Sequence, residues 1–243
     1  MNLNFSAIKE SKNLLAFSAG VDSTALFFLL LEQNIPFDIA IVNYNVRVQS
    51  KEELAYAKEL ATKYNKQIFI KEVTLENLSN FEKNARDIRY SFFEEIINSN
   101  SYEILITAHQ LNDKLEWFLM QFTKGAGLFE LIGFNEFEEK ESYKVYKPLL
   151  EISKNELENY LKINNINYFV DNSNFDEKYK RNYFRKNFAN QLIDDSQSGI
   201  KSSFNYLQKD IESLNVEHKQ IKIFNELSIF KNMNNDNLKI RII

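Results

Sequence analysis

The sequence predicts an α/β protein: a Rossmann-like, mostly parallel sheet covered by helices, continued by a helical extension at the C-terminus. Three observations carry this. From residue 12 to about 107, short apolar runs alternate with helical patterns, as in strand–helix repeats whose strands are buried on both faces. The first run, Leu14 to Phe17, passes directly into Ser18-Ala19-Gly20-Val21-Asp22-Ser23 and then into a helical stretch from Thr24. Polar groups recur after the first, second and fourth strands, the edge at which open α/β sheets bind ligands.

Each element has its own signal. Asn13 to Phe17 reads as the first strand and Ser23 to Glu32 as its helix. Pro36 breaks the chain before a second strand, Phe37 to Asn43. Ser50-Lys51-Glu52-Glu53 has the form of a capping box opening a helix to about Tyr64, with Leu54, Ala57, Leu60 and Ala61 on one face. Gln67 to Val73 is a third strand, Phe81 to Ile97 a helix, Glu103 to Thr107 a fourth strand and Asn112 to Phe122 the next helix. The regularity then loosens. Gly125, Gly127 and Gly133 predict a mobile loop, and the acidic stretch 134–142 predicts exposed chain. A second capping box, Ser153-Lys154-Asn155-Glu156, opens a helix to about Ile163, and Tyr179 to Leu192 suits another. Phe204, Leu207, Ile211, Leu214 and Ile221 continue an apolar stripe that suits one amphipathic helix, packed on its own domain or on a partner such as a second copy in a homodimer.

Composition narrows the chemistry. The chain of 243 residues is 44% apolar, enough for a full core, and no apolar stretch approaches the roughly 20 residues of a membrane span. We expect no membrane partner and a cytoplasmic setting. With no cysteine there are no disulfides, thiolate metal sites or persulfide chemistry. At net charge −4 any nucleic-acid site must be a local basic patch.

Residues 18–23 suit the phosphates of a nucleotide. Backbone N–H groups at a helix N-terminus point at an anion, small side chains let the backbone approach, and Gly20 is expected to supply an unusual dihedral. Asp22 stands where a P-loop would have lysine, which makes sense if it holds Mg²⁺ or handles a proton. Asn43 ends the second strand beside this loop. His109-x-x-x-Asp113-x-x-Glu116 places two carboxylates on one helical face, suited to a cationic substrate or a metal, or simply to a helix start. Arg86 and Arg89 share a face and suit phosphate contact or surface ion pairing. Lys178, Lys180, Arg181, Arg185 and Lys186, interleaved with Tyr179, Tyr183 and Phe184, predict an RNA-backbone patch over a plain solvated face.

Ser-x-Gly-x-Asp-Ser after a first strand resembles the loop of the PP-loop ATP pyrophosphatases, whose fold is adenine nucleotide alpha hydrolase-like. The later motifs run in order: Val42 to Arg47 with Ser50 and Glu53; Ala85-Arg86-x-x-Arg89-Tyr90; Thr107-Ala108-His109-x-x-x-Asp113-x-x-Glu116; Lys124-Gly125-Ala126-Gly127; Lys147-Pro148-Leu149-Leu150; Asp171-x-Ser173-Asn174; and Arg181-Asn182-x-x-Arg185. Over roughly residues 12–190 this series is similar to the tRNA(Ile)-lysidine synthetase family. The departures are Ala19 for a second loop glycine, Tyr44-Asn45 for His-Gly, Gln110 for a second His, Asn112 for a first Asp, and Trp117 for a smaller residue.

The resemblance implies a PP-loop catalytic domain over residues 1–190, with residues 191–243 an incomplete tRNA-binding extension. It implies a ligase that uses ATP and Mg²⁺ to adenylate the wobble cytidine of tRNA(Ile) at its C2 oxygen and then joins L-lysine to C2. In that scheme Ser18, Ala19, Gly20, Val21, Asp22, Ser23, Asn43 and His109 bind the nucleotide, with Asp22 also the metal ligand or proton handler. Asp113 and Glu116 recognise lysine, Arg86 and Arg89 phosphates, Arg181 and Arg185 the triphosphate or RNA, and Lys180 and Lys186 the RNA. The lack of cysteine weighs against a tRNA-thiolating relative, and the lack of a glutaminase domain against an amidotransferase synthetase. A nucleotide- or RNA-binding module without turnover is the alternative of another class, separated from an enzyme by pyrophosphate release.

Overall fold

A computed structural model of the chain describes residues 3–45, 49–73, 81–170, 180–215, 220–224 and 227–230. Its strands are β1 (Asn13–Ala16), β2 (Phe37–Asn43), β3 (Ile68–Glu72), β4 (Ile104–Ile106), β5 (Phe137–Glu139) and β6 (Lys144–Tyr146), with a C-terminal pair β7 (Gln220–Phe224) and β8 (Leu227–Phe230). The helices are α1 (Val21–Glu32), α2 (Gln49–Lys63), α3 (Phe81–Asn100), α4 (Leu111–Phe122), α5 (Leu128–Ile132), α6 (Lys154–Ile163), α7 (Lys180–Phe184) and α8 (Asn190–Asn215), with a π-helical turn, Arg185–Ala189, between the last two. One six-stranded sheet runs in the order β3-β2-β1-β4-β6-β5, parallel except for the edge strand β5. The chain fills one side of β1 and then crosses to β4 on the other, so the switch point lies between β1 and β4.

The apolar runs are continuous because both faces of the sheet are buried. Leu15, Ile39, Ile41, Ile104 and Ile106 point to the face covered by α1, α2 and α6. Leu14, Ala40, Leu105 and Val145 point to the other, against Phe92, Phe93, Ile96 and Ile97 of α3. Side chains alternate along a strand, so a run with no polar interruption is what two covered faces require.

With only five glycines in the chain, asparagine takes the left-handed position after several helices: Asn34, Asn65 and Asn165 have φ between 52° and 55°. The next N–H in each case bonds back to the last turn, as from Ile35 to Leu30, Lys66 to Ala61 and Ile166 to Leu161.

Three expectations need correction. Residues 125–142 are not simply loop: they contain α5 and the strand β5. β5 is legible only in context, because its Phe137 stacks on Tyr146 at 4.4 Å while Glu138 and Glu139 pair with Lys147 and Lys144. Three residues give no periodicity to detect. The C-terminal stripe does not lie on one helix: Phe204, Leu207, Ile211 and Leu214 are in α8, and Ile221 is in β7, which pairs antiparallel with β8. The helix at 50–64 begins at Gln49, placing Ser50 within its first turn, where it is buried. The stripe itself packs on its own domain: Phe204, Leu207 and Ile211 join Leu111, Leu115 and Ile132 of α4 and α5. Among the described residues no helix is long and apolar enough to cross a membrane.

Candidate active site at the carboxyl end of the sheet

The loop 18–23 leaves the carboxyl end of β1, and α1 starts inside it at Val21 with Gly20 as N-cap. No side chain caps this terminus, so its first N–H groups remain directed at the site mouth. Two serines fix the turn: the Ser18 N–H donates to Ser23 Oγ at 3.1 Å, and the two hydroxyls lie 3.1 Å apart. The left-handed residue is Ala19, with φ 59°, whereas Gly20 has an extended φ of −75°. The dihedral expected of Gly20 therefore belongs one residue earlier. Ala19 holds it while fully buried, with its carbonyl accepting from the Phe169 N–H at 3.0 Å. The segment entering residue 170 thus clasps the loop from above.

Asp22 is the unsatisfied group of this cradle. Its Oδ1 is buried with no hydrogen-bond partner. Burial first, then the neighbouring Asp113 carboxylate, raises its pKa to about 7 against the opposing charges of Lys154 and Arg185. A buried acceptor of this kind could take a donor or a cation. Among the described residues no group of three or more acids and imidazoles could hold a metal alone, so an ion here would take Asp22 together with phosphate oxygens and water.

The end of β4 supplies the second half. Thr107 Oγ1 lies 2.9 Å from His109 Nδ1, and burial lowers the His109 pKa to about 4, with Arg181, Lys147 and Arg89 adding to the effect against Asp113. His109 is therefore neutral at physiological pH. Gln110 caps α4: its side chain accepts from the Asn112 N–H, and Asp113 Oδ2 accepts from the Gln110 N–H at 3.1 Å. The residue that departs from the family pattern at 110 is thus a helix cap. Asn112 likewise ties helices together, accepting from the Lys154 N–H at the start of α6 and donating to Asn190 at the start of α8.

Asp113 and Glu116 meet Arg181 and Arg185. Arg181 Nε donates to Glu116 Oε2 at 2.9 Å and its Nη2 to Asp113 Oδ1 at 2.5 Å. Arg185 Nε donates to Glu116 Oε1 at 2.6 Å and its Nη2 to Oε2 at 3.0 Å. The Glu116 side chain is 0% exposed. Burial drives the Asp113 pKa up, but Arg181, His109, Arg185 and the Gln110 N–H outweigh it and leave the group below the usual carboxylate range. Burial likewise opposes the charge on Arg181 and Arg185, yet the acids hold both guanidinium pKa values above normal. The π-helical turn starts at Arg185, and turns of this kind recur at functional sites because they re-aim side chains.

The basic run therefore does not form one outward face. Arg181 and Arg185 turn inward to the acids, while Lys180 and Lys186 are exposed, Lys180 over the Phe184 ring. Arg86 is exposed and lies 5.1 Å over Tyr90, whereas the charge of exposed Arg89 acts on Tyr44 and His109 nearer the site. Asn43 is buried and shapes the end of β2, accepting from the Asn45 N–H at 2.9 Å. Tyr44 donates to the Ala85 carbonyl at 2.6 Å and so fastens β2 to α3. The motif residues at 46–48 and 171–179, including Arg47, Asp171, Ser173, Asn174 and Lys178, lie outside the described residues.

Sequence reasoning gave no role to Lys147. Its buried ammonium donates to Glu138 Oε2 at 2.8 Å and to the Asn135 carbonyl at 3.5 Å, and its charge bears on His109. The signal was its position after β6, at the same carboxyl edge as the loop, but β6 itself was not legible.

A mostly parallel sheet whose first strand–helix turn is built of small residues, with an uncapped helix terminus and an acid inside it, is the architecture of a nucleotide-binding α/β domain. The PP-loop domain profile matches residues 2–192, and the chain belongs to this family. It is 52% identical over 183 residues to the tRNA(Ile)-lysidine synthase of Helicobacter hepaticus, covering 73% of this chain and 43% of that protein. With the synthase of Campylobacter jejuni the identity is 52% over 174 residues, 72% of this chain and 54% of the relative. The chain thus spans about half the length of the curated relatives it matches. Among solved structures, the U34-tRNA thiolase NcsA from Methanococcus maripaludis has a TM-score of 0.68 over 90% of this chain and 78% of its own, at 17% identity, a likeness of fold.

Proposed function

We propose that this chain catalyses ATP-dependent ligation of L-lysine to C2 of the wobble cytidine of tRNA(Ile) bearing a CAU anticodon, in the cytoplasm. The reaction passes through an RNA adenylated at the C2 oxygen, releases pyrophosphate and AMP, and changes the codon and amino-acid specificity from Met to Ile. The observation that carries this reading is the 52% identity to a lysidine synthase over 183 residues, taken with the PP-loop domain match over residues 2–192, which include the loop and both α4 acids.

Each residue then has a task. The uncapped N-terminus of α1 and the loop amides of residues 18–23 take the phosphates of ATP, with Asn43 and His109 beside them. Asp22 would hold Mg²⁺, which when bound screens the phosphate charge as it develops. With its pKa near 7, Asp22 is also able to exchange a proton at working pH before the ion arrives. Free lysine has a side-chain pKa of about 10.4, so its amine needs an acidic partner that binds the ammonium form and directs its loss of a proton. Asp113, whose side chain is 12% exposed, would meet it, and enclosed Glu116 would hold the arginines in position. Arg86 and Arg89 serve phosphate binding, and Lys180 and Lys186 the RNA backbone.

The test is incorporation of labelled lysine into CAU tRNA(Ile), with AMP and pyrophosphate measured together. Wild-type protein should produce all three, and Asp22→Ala should lower the rate by at least about 100-fold. If wild type adds no lysine, or Asp22→Ala matches it, the reading is wrong. ATP binding without pyrophosphate release would favour a binding module instead.

A further inference from the structure

Beside His109 stands an aromatic wall to which the reaction scheme gives no role. The Phe134 ring lies 5.4 Å from the His109 ring, and Trp117 meets Phe134 edge-on at 6.1 Å. Trp117 follows Glu116 directly on α4 and is 37% exposed, and Phe134 is half-buried.

The wall is held from both ends. Trp117 Nε1 donates to the Glu130 carbonyl at 2.7 Å, and Gly133 turns at φ 59° against the indole, where any Cβ would collide with the ring. Lys147 grips the following residues through the Asn135 carbonyl and Glu138, and its own N–H donates to the Glu136 carbonyl at 2.8 Å. Aromatic groups fixed this way, partly open and next to a reaction centre, are a prepared stacking surface. The cations that act on His109 are Arg181, Lys147 and Arg89; Arg181 and Lys147 pair with acids, and Arg89 is exposed, where it can meet a phosphate of the RNA. An enzyme acting on a base in an RNA loop must take that base out of its stack, and unstacked bases are held on aromatic rings.

We propose that Phe134 and Trp117 form the platform on which the target base of the RNA stacks beside His109. This rests on the proposed function and adds to it the seat of the nucleobase. Trp117 is the single tryptophan of the chain, so its fluorescence reports on the platform alone.

The experiment titrates full-length protein with two labelled anticodon stem-loops of tRNA(Ile), one carrying CAU and one abasic at the wobble position. Anisotropy gives affinity and Trp117 emission gives contact. The CAU loop should change the emission and bind about 5- to 100-fold more tightly than the abasic loop, the range of one base–aromatic stack. Phe134→Leu, which keeps the packing but not the stack, should lose that difference while binding the abasic RNA as wild type does. Equal binding of the two RNAs by wild type, or a Phe134→Leu effect of the same size on both, overturns the platform. Emission that responds to ATP and not to RNA overturns it too, assigning the wall to adenine. Failure of both RNAs to bind overturns it together with the proposed function. Loss of the platform signal with lysine incorporation intact overturns the platform and leaves the proposed function standing.

Discussion

The two halves of the site handle charge in opposite ways. The loop at the end of β1 is unsatisfied: its helix terminus is uncapped, Asp22 Oδ1 has no partner, and the Asp22 pKa has risen to about 7. The cluster on α4 and the π-helical turn is saturated: Asp113 and Glu116 neutralise Arg181 and Arg185 through charge-assisted hydrogen bonds. One region is built for a ligand that brings its own charge. The other assembles its charges during folding, so that groups distant in sequence are already in place when a ligand arrives. An acid in the first region carries a penalty that a ligand removes; an acid in the second supports the fold.

Glu116 gives the sharpest contrast. Glu116→Ala should destabilise the chain by about 2–4 kcal/mol in urea unfolding, because it removes the enclosed carboxylate shared by two partly exposed guanidinium groups. A variant as stable as wild type would show that the cluster is not a folding element, and the comparison would fail.

Asp22 should behave in reverse. An acid whose folded pKa is raised from 3.8 to about 7 makes no difference to stability below about pH 4, where both states are protonated. As pH rises through that interval the unfolded chain ionises first, so stability falls, and the full penalty is present above about pH 7. Asp22→Asn should therefore stabilise the unliganded chain by about 2–4 kcal/mol at pH 8 and by little at pH 4, while abolishing turnover. Paired melts at the two pH values measure this, and equal shifts at both would contradict a buried titrating acid. The same variant should lose most of the stabilisation that ATP and Mg²⁺ give wild type, read as a smaller rise in Tm.

Ala19→Gly should be the smallest change, within about 1 kcal/mol of wild type. Glycine relieves the left-handed strain but adds freedom to the unfolded chain. Activity should be retained, because the backbone already holds the dihedral that glycine would provide. A large gain in activity would mean that Ala19 distorts the loop.

Much of this was open to reading in one dimension. The first four strands and most of their helices followed from apolar runs and periodicity, because burial leaves a local imprint. The Ser153–Glu156 cap was legible for the same reason, its two hydrogen bonds closing within four residues. β5 was not, because a three-residue edge strand is defined by the partner it meets. The basic segment was half legible: its composition announced positive charge, but the inward turn of Arg181 and Arg185 depends on acids more than 60 residues away.

The sequence by itself determined the parallel α/β fold, the small-residue loop with its aspartate after the first strand, and membership of a family through motifs in fixed order. These are local, since periodicity, turn chemistry and short spacings are written in neighbouring residues. Tertiary structure alone decided that Glu116 is enclosed by arginines, that Asp22 is buried without a partner, that Ala19 carries the left-handed turn, and that Phe134 meets His109. Charge state and exposure depend on everything that packs around a group, and most of what surrounds these residues comes from distant parts of the chain.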